Sequence, residues 1–413
     1  MAINLIKNIH KIYGVTKNNP AFKKGKDMSE VGVIKNAYLL FDQKIISFGS
    51  MDDCPTHDGP IIDAKGGCIF PSWCDSHTHI VYADSREDEY VMRLLGKSYE
   101  EIAKAGGGIL NSAEKLANKD FEDLYHTAKY RLDEVIQTGT GSIEIKSGYG
   151  LSFDSEIKML KVIQALKKNS DAAIKATFLG AHAIPKEYKH NRAAYISLIT
   201  DTMLPYVVEH NLADYCDVFC DEGFFTVEET DIILKRATTF GLKAKIHANE
   251  LANSGGVQVG IRNNALSVDH LERIGAEEIE ALKNSTTIPT ALPNCSFFLN
   301  IPFAPGRKMI DEGLGLTLAS DYNPGSSPSG NMPLLLSIAC NQMRLSPEEA
   351  FNAATINGAY AMELENAQGS ITPGKAANFF ITEPKSTLSL MIYHFGKKHI
   401  KSVFLNGQSQ IPS

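Results

Sequence analysis

No segment of the chain reaches the ~18 consecutive apolar residues that a membrane-spanning helix requires, so no such span is predicted. The first residues, Met1 to Asn8, lack the apolar core and small-residue cleavage site of a secretory signal, and a cytoplasmic location is expected. Cysteine is sparse: seven in 413 residues, an odd number, scattered among apolar neighbours as in Asp217-Val218-Phe219-Cys220. That usage reads as reduced, buried thiols rather than a disulfide framework. Cys216 and Cys220 lie four apart on a predicted strand, roughly 13 Å end to end, too far for a shared metal or a disulfide. No basic stripe exists to neutralise a phosphate backbone; the net charge of −7 comes from 48 acidic and 41 basic residues spread along the chain. Nucleic acid is therefore not expected as a partner. No Gly-x-Gly-x-x-Gly follows the first strand, and no Gly-Lys-Ser/Thr follows Gly106-Gly107-Gly108, so a dinucleotide fold and a phosphate cradle are both disfavoured.

What remains is an ordinary globular composition, 43% apolar and 22% charged, long enough for one large domain and a smaller one. From residue 67 onward, short apolar runs alternate with longer amphipathic stretches. Strands are predicted at Cys68 to Cys74, Ser142 to Lys146, Lys175 to Gly180, Cys216 to Cys220, Lys243 to His247, Leu266 to Asp269, Thr287 to Leu292 and Gly315 to Ser320. Between them, Asp154 to Lys168, Val227 to Phe240 and Ala276 to Leu282 carry helical periodicity. Eight strand–helix repeats over about 250 residues predict an α/β fold, a (β/α)8 barrel. The flanks differ. Residues 1–66 and 370–413 carry short alternating segments, which predict a small β-sandwich domain built from both chain ends around a barrel at 67–369.

The chemistry is concentrated where the predicted strands end, which is where such barrels place their sites. His77 and His79, in Asp75-Ser76-His77-Thr78-His79, are two apart and share one face of an extended chain. Gly67 to Phe70 reads as the strand that delivers them. Other strand ends carry Tyr149, His182, His247 with Glu250, His270, and Asp321-Tyr322-Asn323-Pro324-Gly325-Ser326. His77, His79, His247 and Asp321 offer three imidazoles and a carboxylate, a set that suits zinc or iron rather than magnesium or calcium. Such an ion lowers the pKa of a bound water toward ~7, and Asp321 has a second oxygen to take the proton. His270 is placed to stabilise charge on an attacked carbonyl, with a structural histidine as the plain reading. Glu250 could hold water or exchange a proton with a leaving nitrogen, although an acidic residue at a helix start is unremarkable. Arg86 is a candidate clamp for a substrate carboxylate; a surface pair with Glu87 or Asp88 is the alternative. The glycines around 106–108 fit either a lid in the 97–110 loop or a turn with unusual backbone angles.

These runs resemble the amidohydrolase superfamily and, within it, the imidazolonepropionase family, over nearly the whole chain. The specific carriers are Glu144-Ile145-Lys146-Ser147-Gly148-Tyr149-Gly150-Leu151, Thr177 to His182, Lys245 to Glu250, Asp269 to Glu272 and Ser320 to Pro328. The resemblance implies one zinc or iron ion per subunit on His77, His79, His247 and Asp321. It implies substrate contacts from Arg86, Tyr149, His182, Glu250, Asn323, Gly325 and Ser326, and catalytic roles for Asp321, His270 and Glu250. The implied activity is hydrolysis of the cyclic amide of 4-imidazolone-5-propanoate in histidine breakdown, by a homodimer acting on a small molecule. Strand four ends in Phe219-Cys220-Asp221-Glu222-Gly223 with no lysine, which favours one metal over two. Ser72 replaces a usual glycine, and Asp84 interrupts a usual Ala-Gly near Arg86. Two other readings stay open: an aminohydrolase releasing ammonia from a guanine- or cytosine-like ring, and a non-catalytic scaffold on the same barrel.

Overall fold

The computed structural model describes residues 2–16, 18–97, 101 and 107–410. Eight parallel strands stand side by side in sequence order: Trp73–Thr78, Thr140–Lys146, Ala173–Ala181, Tyr215–Cys220, Lys243–Ala248, Ser267–His270, Ile288–Ala291 and Thr317–Leu318. The eighth is joined to the first through the residues that follow them. His79 N–H donates to Tyr322 O and Asp321 N–H to His77 O, both at 2.9 Å. The buried Asp75 carboxylate accepts from Ser320 N and Ser320 Oγ across the same seam. The chain is thus an α/β barrel of the predicted kind.

Some of the helices between strands begin where the sequence supplies caps. Ser152 accepts from Ser155 N at the head of Phe153–Lys168, and Thr226 forms a reciprocal box with Glu229 ahead of Val227–Thr239. These two and Ala276–Lys283 lie within one residue of their predicted bounds.

A second sheet gathers strands from both chain ends: Asn4–Tyr13, Val33–Phe41, Ile45–Ser50, Ile61–Asp63, Cys68–Pro71, Phe379–Thr382, Ile400–Leu405 and Gln408–Ser409. Its own apolar cluster centres on Ile6, Leu39, Phe41, Phe379 and Phe404. One expectation is corrected here. Cys68–Pro71 belongs to this sheet, pairing with Lys11 and Ile12 on one side and with Phe379–Thr382 on the other. The strand that delivers the histidines is Trp73–Thr78, and the chain changes sheets at Ser72, whose N–H still bonds Asn378 O. Hydropathy could not separate the two strands, because the apolar run Cys68–Pro71 leads through the single residue Ser72 into Trp73 and Cys74, and both strands are buried throughout. The barrel therefore begins near residue 72 rather than 67. Trp73 seals this joint, its ring 5.1 Å from Phe380 and 6.1 Å from Phe351.

Candidate active site

The C-terminal ends of the barrel strands converge on a buried cluster of histidines. His77 and His79 rise from strand one, His247 from strand five, His270 from strand six, and Asp321 follows strand eight. His77 Nε2 lies 3.3 Å from His79 Nε2, and each lies 3.6 Å from Asp321 Oδ1. Donor atoms of His77, His79 and His247 lie within 4.8 Å of one another, as do those of His77, His270 and Asp321. Four donors tetrahedrally placed about 2.05 Å from one ion would stand roughly 3.3 Å apart, so these separations suit a small cation.

Two outer carboxylates reinforce that fit. His77 Nδ1 bonds Asp269 Oδ2 at 2.6 Å, and His247 Nδ1 bonds Asp217 Oδ1 at 3.0 Å. Each histidine so held keeps its proton on Nδ1 and turns the Nε2 lone pair inward. His247 Nε2 is buried and has no hydrogen-bond partner, which is the position a metal ligand occupies. Ser326 Oγ donates to Asp321 Oδ2 at 3.2 Å, leaving Oδ1 to face the imidazoles. Burial holds the His77 and His79 imidazoles neutral, well below the usual histidine range, in keeping with ligands.

Beside this cluster, His270 Nε2 lies 3.6 Å from Glu250 Oε2, and His270 Nδ1 lies 3.6 Å from Glu272 Oε2. Burial works against a charged His270, but Glu250 and Glu272 outweigh it and push its pKa well up. Burial lifts the Glu250 carboxyl to about 7, against the pull of His270. Burial, with His247 nearby, lowers His182 to about 3. Neutral His182 donates from Nδ1 to Gly148 O at 3.0 Å, and its ring stacks 5.6 Å from His79. Tyr149 packs edge-on to both rings, and burial keeps its phenol protonated.

Arg86 sits at the mouth. Its bidentate partner is Glu89, at 2.9 and 2.5 Å, and not Glu87 or Asp88. Asp84 faces Lys115 and Lys119 at 3.7 and 3.8 Å, so its charge is met there. Of the 97–110 loop, residues 98–100 and 102–106, including Gly106, lie outside the described residues. Asn323 spends its amide within its own turn. Nδ2 bonds Asp321 O and Ser326 Oγ, while Oδ1 accepts from Gly325 N and Ser326 N. Gly325 lies against the Arg86 guanidinium.

Several functional groups escaped the sequence reading. Glu156 is buried and accepts from Gly148 N, Gly150 N and Leu151 N, pinning the turn that carries Tyr149. Asp221 accepts from Glu250 N, Leu251 N and Ala252 N and fixes the turn that carries Glu250. Beneath the histidines lie Lys146, Lys245, Glu144, Asp217 and Asp269, all fully buried. Burial disfavours the Lys146 ammonium, yet Asp217, Glu144 and Asp269 raise it above the ordinary lysine value. Two-residue alternation, the signal that singled out His77 and His79, also pairs Glu144 with Lys146 and Lys245 with His247. Glu156 and Asp221 left no such signal.

Among known proteins, a family model described as "Amidohydrolase family" matches residues 68–409. An imidazolonepropionase of Flavobacterium johnsoniae is 53% identical over 408 residues, spanning 98% of this chain and 99% of the relative. Another, from Thermoanaerobacter pseudethanolicus, is 40% identical over 400 residues, spanning 97% and 95%. Of solved structures, guanine deaminase of E. coli aligns with a TM-score of 0.76 at 14% identity, covering 98% of each chain. A triazine hydrolase variant aligns with a TM-score of 0.75 at 14% identity, covering 98% of this chain and 94% of its own. At such identities these two structures bear on the fold alone.

Proposed function

This chain belongs to the amidohydrolase family and groups within it with the imidazolonepropionases, and we propose that it hydrolyses the cyclic amide of 4-imidazolone-5-propanoate to N-formimidoyl-L-glutamate. The observation that carries this reading is the convergence of His77, His79, His247 and Asp321 with two histidines backed by carboxylates. His77, His79, His247 and Asp321 Oδ1 would hold one zinc or iron ion. When bound, that ion supplies a Lewis acid that makes water nucleophilic at neutral pH.

The chain's own groups do the rest. Asp321 takes a proton from the attacking water on its carboxylate, oriented by Ser326. His270, kept protonated by Glu250 and Glu272, donates to the carbonyl oxygen as negative charge develops there. A carbon–oxygen bond forms at the ring carbonyl and the carbon–nitrogen bond breaks, with Glu250 relaying to the departing ring nitrogen the proton that Asp321 took from the water. Arg86 binds the propionate carboxylate, with Tyr149 and His182 flanking the ring. That clamp gives orientation rather than chemistry. Asn323 and Gly325 shape the turn that presents Ser326 and makes room for Arg86.

This reading extends to a cytoplasmic homodimer. All seven cysteines are free, and no helix among the described residues is long and apolar enough to cross a membrane. The test is turnover of freshly generated imidazolone propionate by the metal-supplemented chain, with N-formimidoyl-L-glutamate as product. Ammonia release from a guanine-like ring without that turnover would point to the aminohydrolase reading. Metal content below about 0.1 per chain after supplementation would point to a scaffold.

A further inference from the structure

The barrel floor carries more charge than the chemistry above it uses, and one side chain stands between the two. Lys146 Nζ lies 2.6 Å from Glu144 Oε1, 2.8 Å from Asp217 Oδ2 and 3.6 Å from Asp269 Oδ2. Those aspartates are the two that fix His247 and His77. A single ammonium on strand two therefore reaches the carboxylates on strands four and six that orient imidazoles on strands five and one. Lys245, the other buried ammonium of the floor, bonds Glu144 and the carbonyls of Ser76 and Ala361 instead.

We propose that Lys146 is the positioning residue of the metal centre: it holds Asp217 and Asp269 in place beneath His247 and His77, and so sets the affinity of the site for a divalent cation. The proposal rests on the metal reading given above. Its physical basis is the cost of grouping carboxylates without water. With Lys146 present, the floor has two ammonium and three carboxylate groups, a net charge of one negative. Without it, Asp217 and Asp269 lose the ammonium they share, since Lys245 bonds only Glu144 of the three carboxylates, and mutual repulsion turns one of them away from its histidine. That movement costs a histidine the acceptor for its Nδ1 proton, and with it the fixed tautomer. Loss of one such outer partner typically weakens metal binding about 10–100-fold. Lys146 serves two histidines at once, so the upper part of that range is expected.

The experiment uses the full chain, stripped of metal and titrated with zinc in competition with a chromophoric chelator, with folding followed separately by circular dichroism and urea unfolding. Lys146→Met should bind zinc about 30–100-fold more weakly than wild type, and Lys245→Met should stay within about threefold. In an Asp217→Asn/Asp269→Asn background, adding Lys146→Met should weaken zinc binding little further, because the partners it acts through are gone. Wild-type affinity in a folded Lys146→Met chain overturns the proposal, as does an equal loss in Lys245→Met. A wild-type chain that binds no zinc instead sinks the metal reading itself. Should Lys146→Met not fold, Glu144→Gln/Lys146→Met removes one charge of each sign and is measured in its place. If that also fails to fold, the proposal is overturned, since Lys146 would then be a requirement of the barrel rather than of the metal centre.

Discussion

Gly325 tests whether the Arg86 clamp is placed by contact. An alanine Cβ at this position would lie 2.3 Å from Arg86 Nη1 and 3.0 Å from its Cζ. Ordinary contact needs about 3.5 Å, so the guanidinium must withdraw by about 1 Å. Backbone has little reason to move instead, because the obstructed atoms are the far end of a flexible side chain. Glu89 holds the other edge of Arg86 and itself accepts from Gly108 N, so the displaced guanidinium also loses part of a bidentate pair. A misplacement of about 1 Å in a positioning group costs up to ~100-fold. Gly325→Ala should therefore lower kcat/KM about 10–100-fold, or about 1.4–2.7 kcal/mol. The loss should fall mainly on KM, since the clamp binds a carboxylate that does not react. Thermal stability should change little. Steady-state kinetics of Gly325→Ala, Arg86→Ala and the double variant complete the cycle. Once Arg86 is gone, the alanine should cost nothing further. Additive losses, or a wild-type KM in Gly325→Ala, would refute placement by contact.

Other outcomes are equally specific. His247→Ala should lose metal retention and turnover together, measured by metal content and assay; a metal-loaded, fully active variant would overturn the ligand assignment. Burial lowers the Lys375 ammonium from 10.5 to about 8 despite its bond to Gln368 O. The unfolded lysine keeps its proton to higher pH, so the penalty is complete below about pH 8 and fades as pH rises toward 10.5. Relative to Lys375→Met, wild type should gain about 3 kcal/mol between pH 7.5 and 10.5 in urea unfolding, and parallel curves would contradict the cause. Glu156→Gln leaves fewer acceptors for three buried N–H groups and should cost about 2 kcal/mol, with a raised KM through Tyr149. An unchanged urea midpoint would count against that role.

The barrel was legible because short apolar runs alternate with amphipathic stretches of helical period. The pair of candidate metal ligands was legible because His77 and His79 obey the two-residue alternation of an extended chain. The same alternation lay unused at Glu144 and Lys146. The first strand was misplaced because Cys68–Pro71 and Trp73–Thr78 are both buried throughout and only Ser72 separates them, so that hydrogen-bond partners alone tell them apart. Arg86 was read as a candidate clamp, and its pairing with Glu89 was not anticipated, because only the helix brings Glu89, three residues on, to the guanidinium.

By itself, the order of residues determined the repeating strand–helix pattern, the reduced cysteines and which side chains could bind a metal. Those properties are local: they follow from period, composition and the chemistry of single groups. Only the tertiary structure decided which carboxylate stands behind which imidazole, and that Lys146 joins Asp217 to Asp269. Such pairings depend on strands meeting side by side inside the barrel, where residues more than 100 positions apart come within hydrogen-bonding distance, as His77 and Asp269 do. No local pattern encodes that meeting, because it arises from closure of the whole sheet.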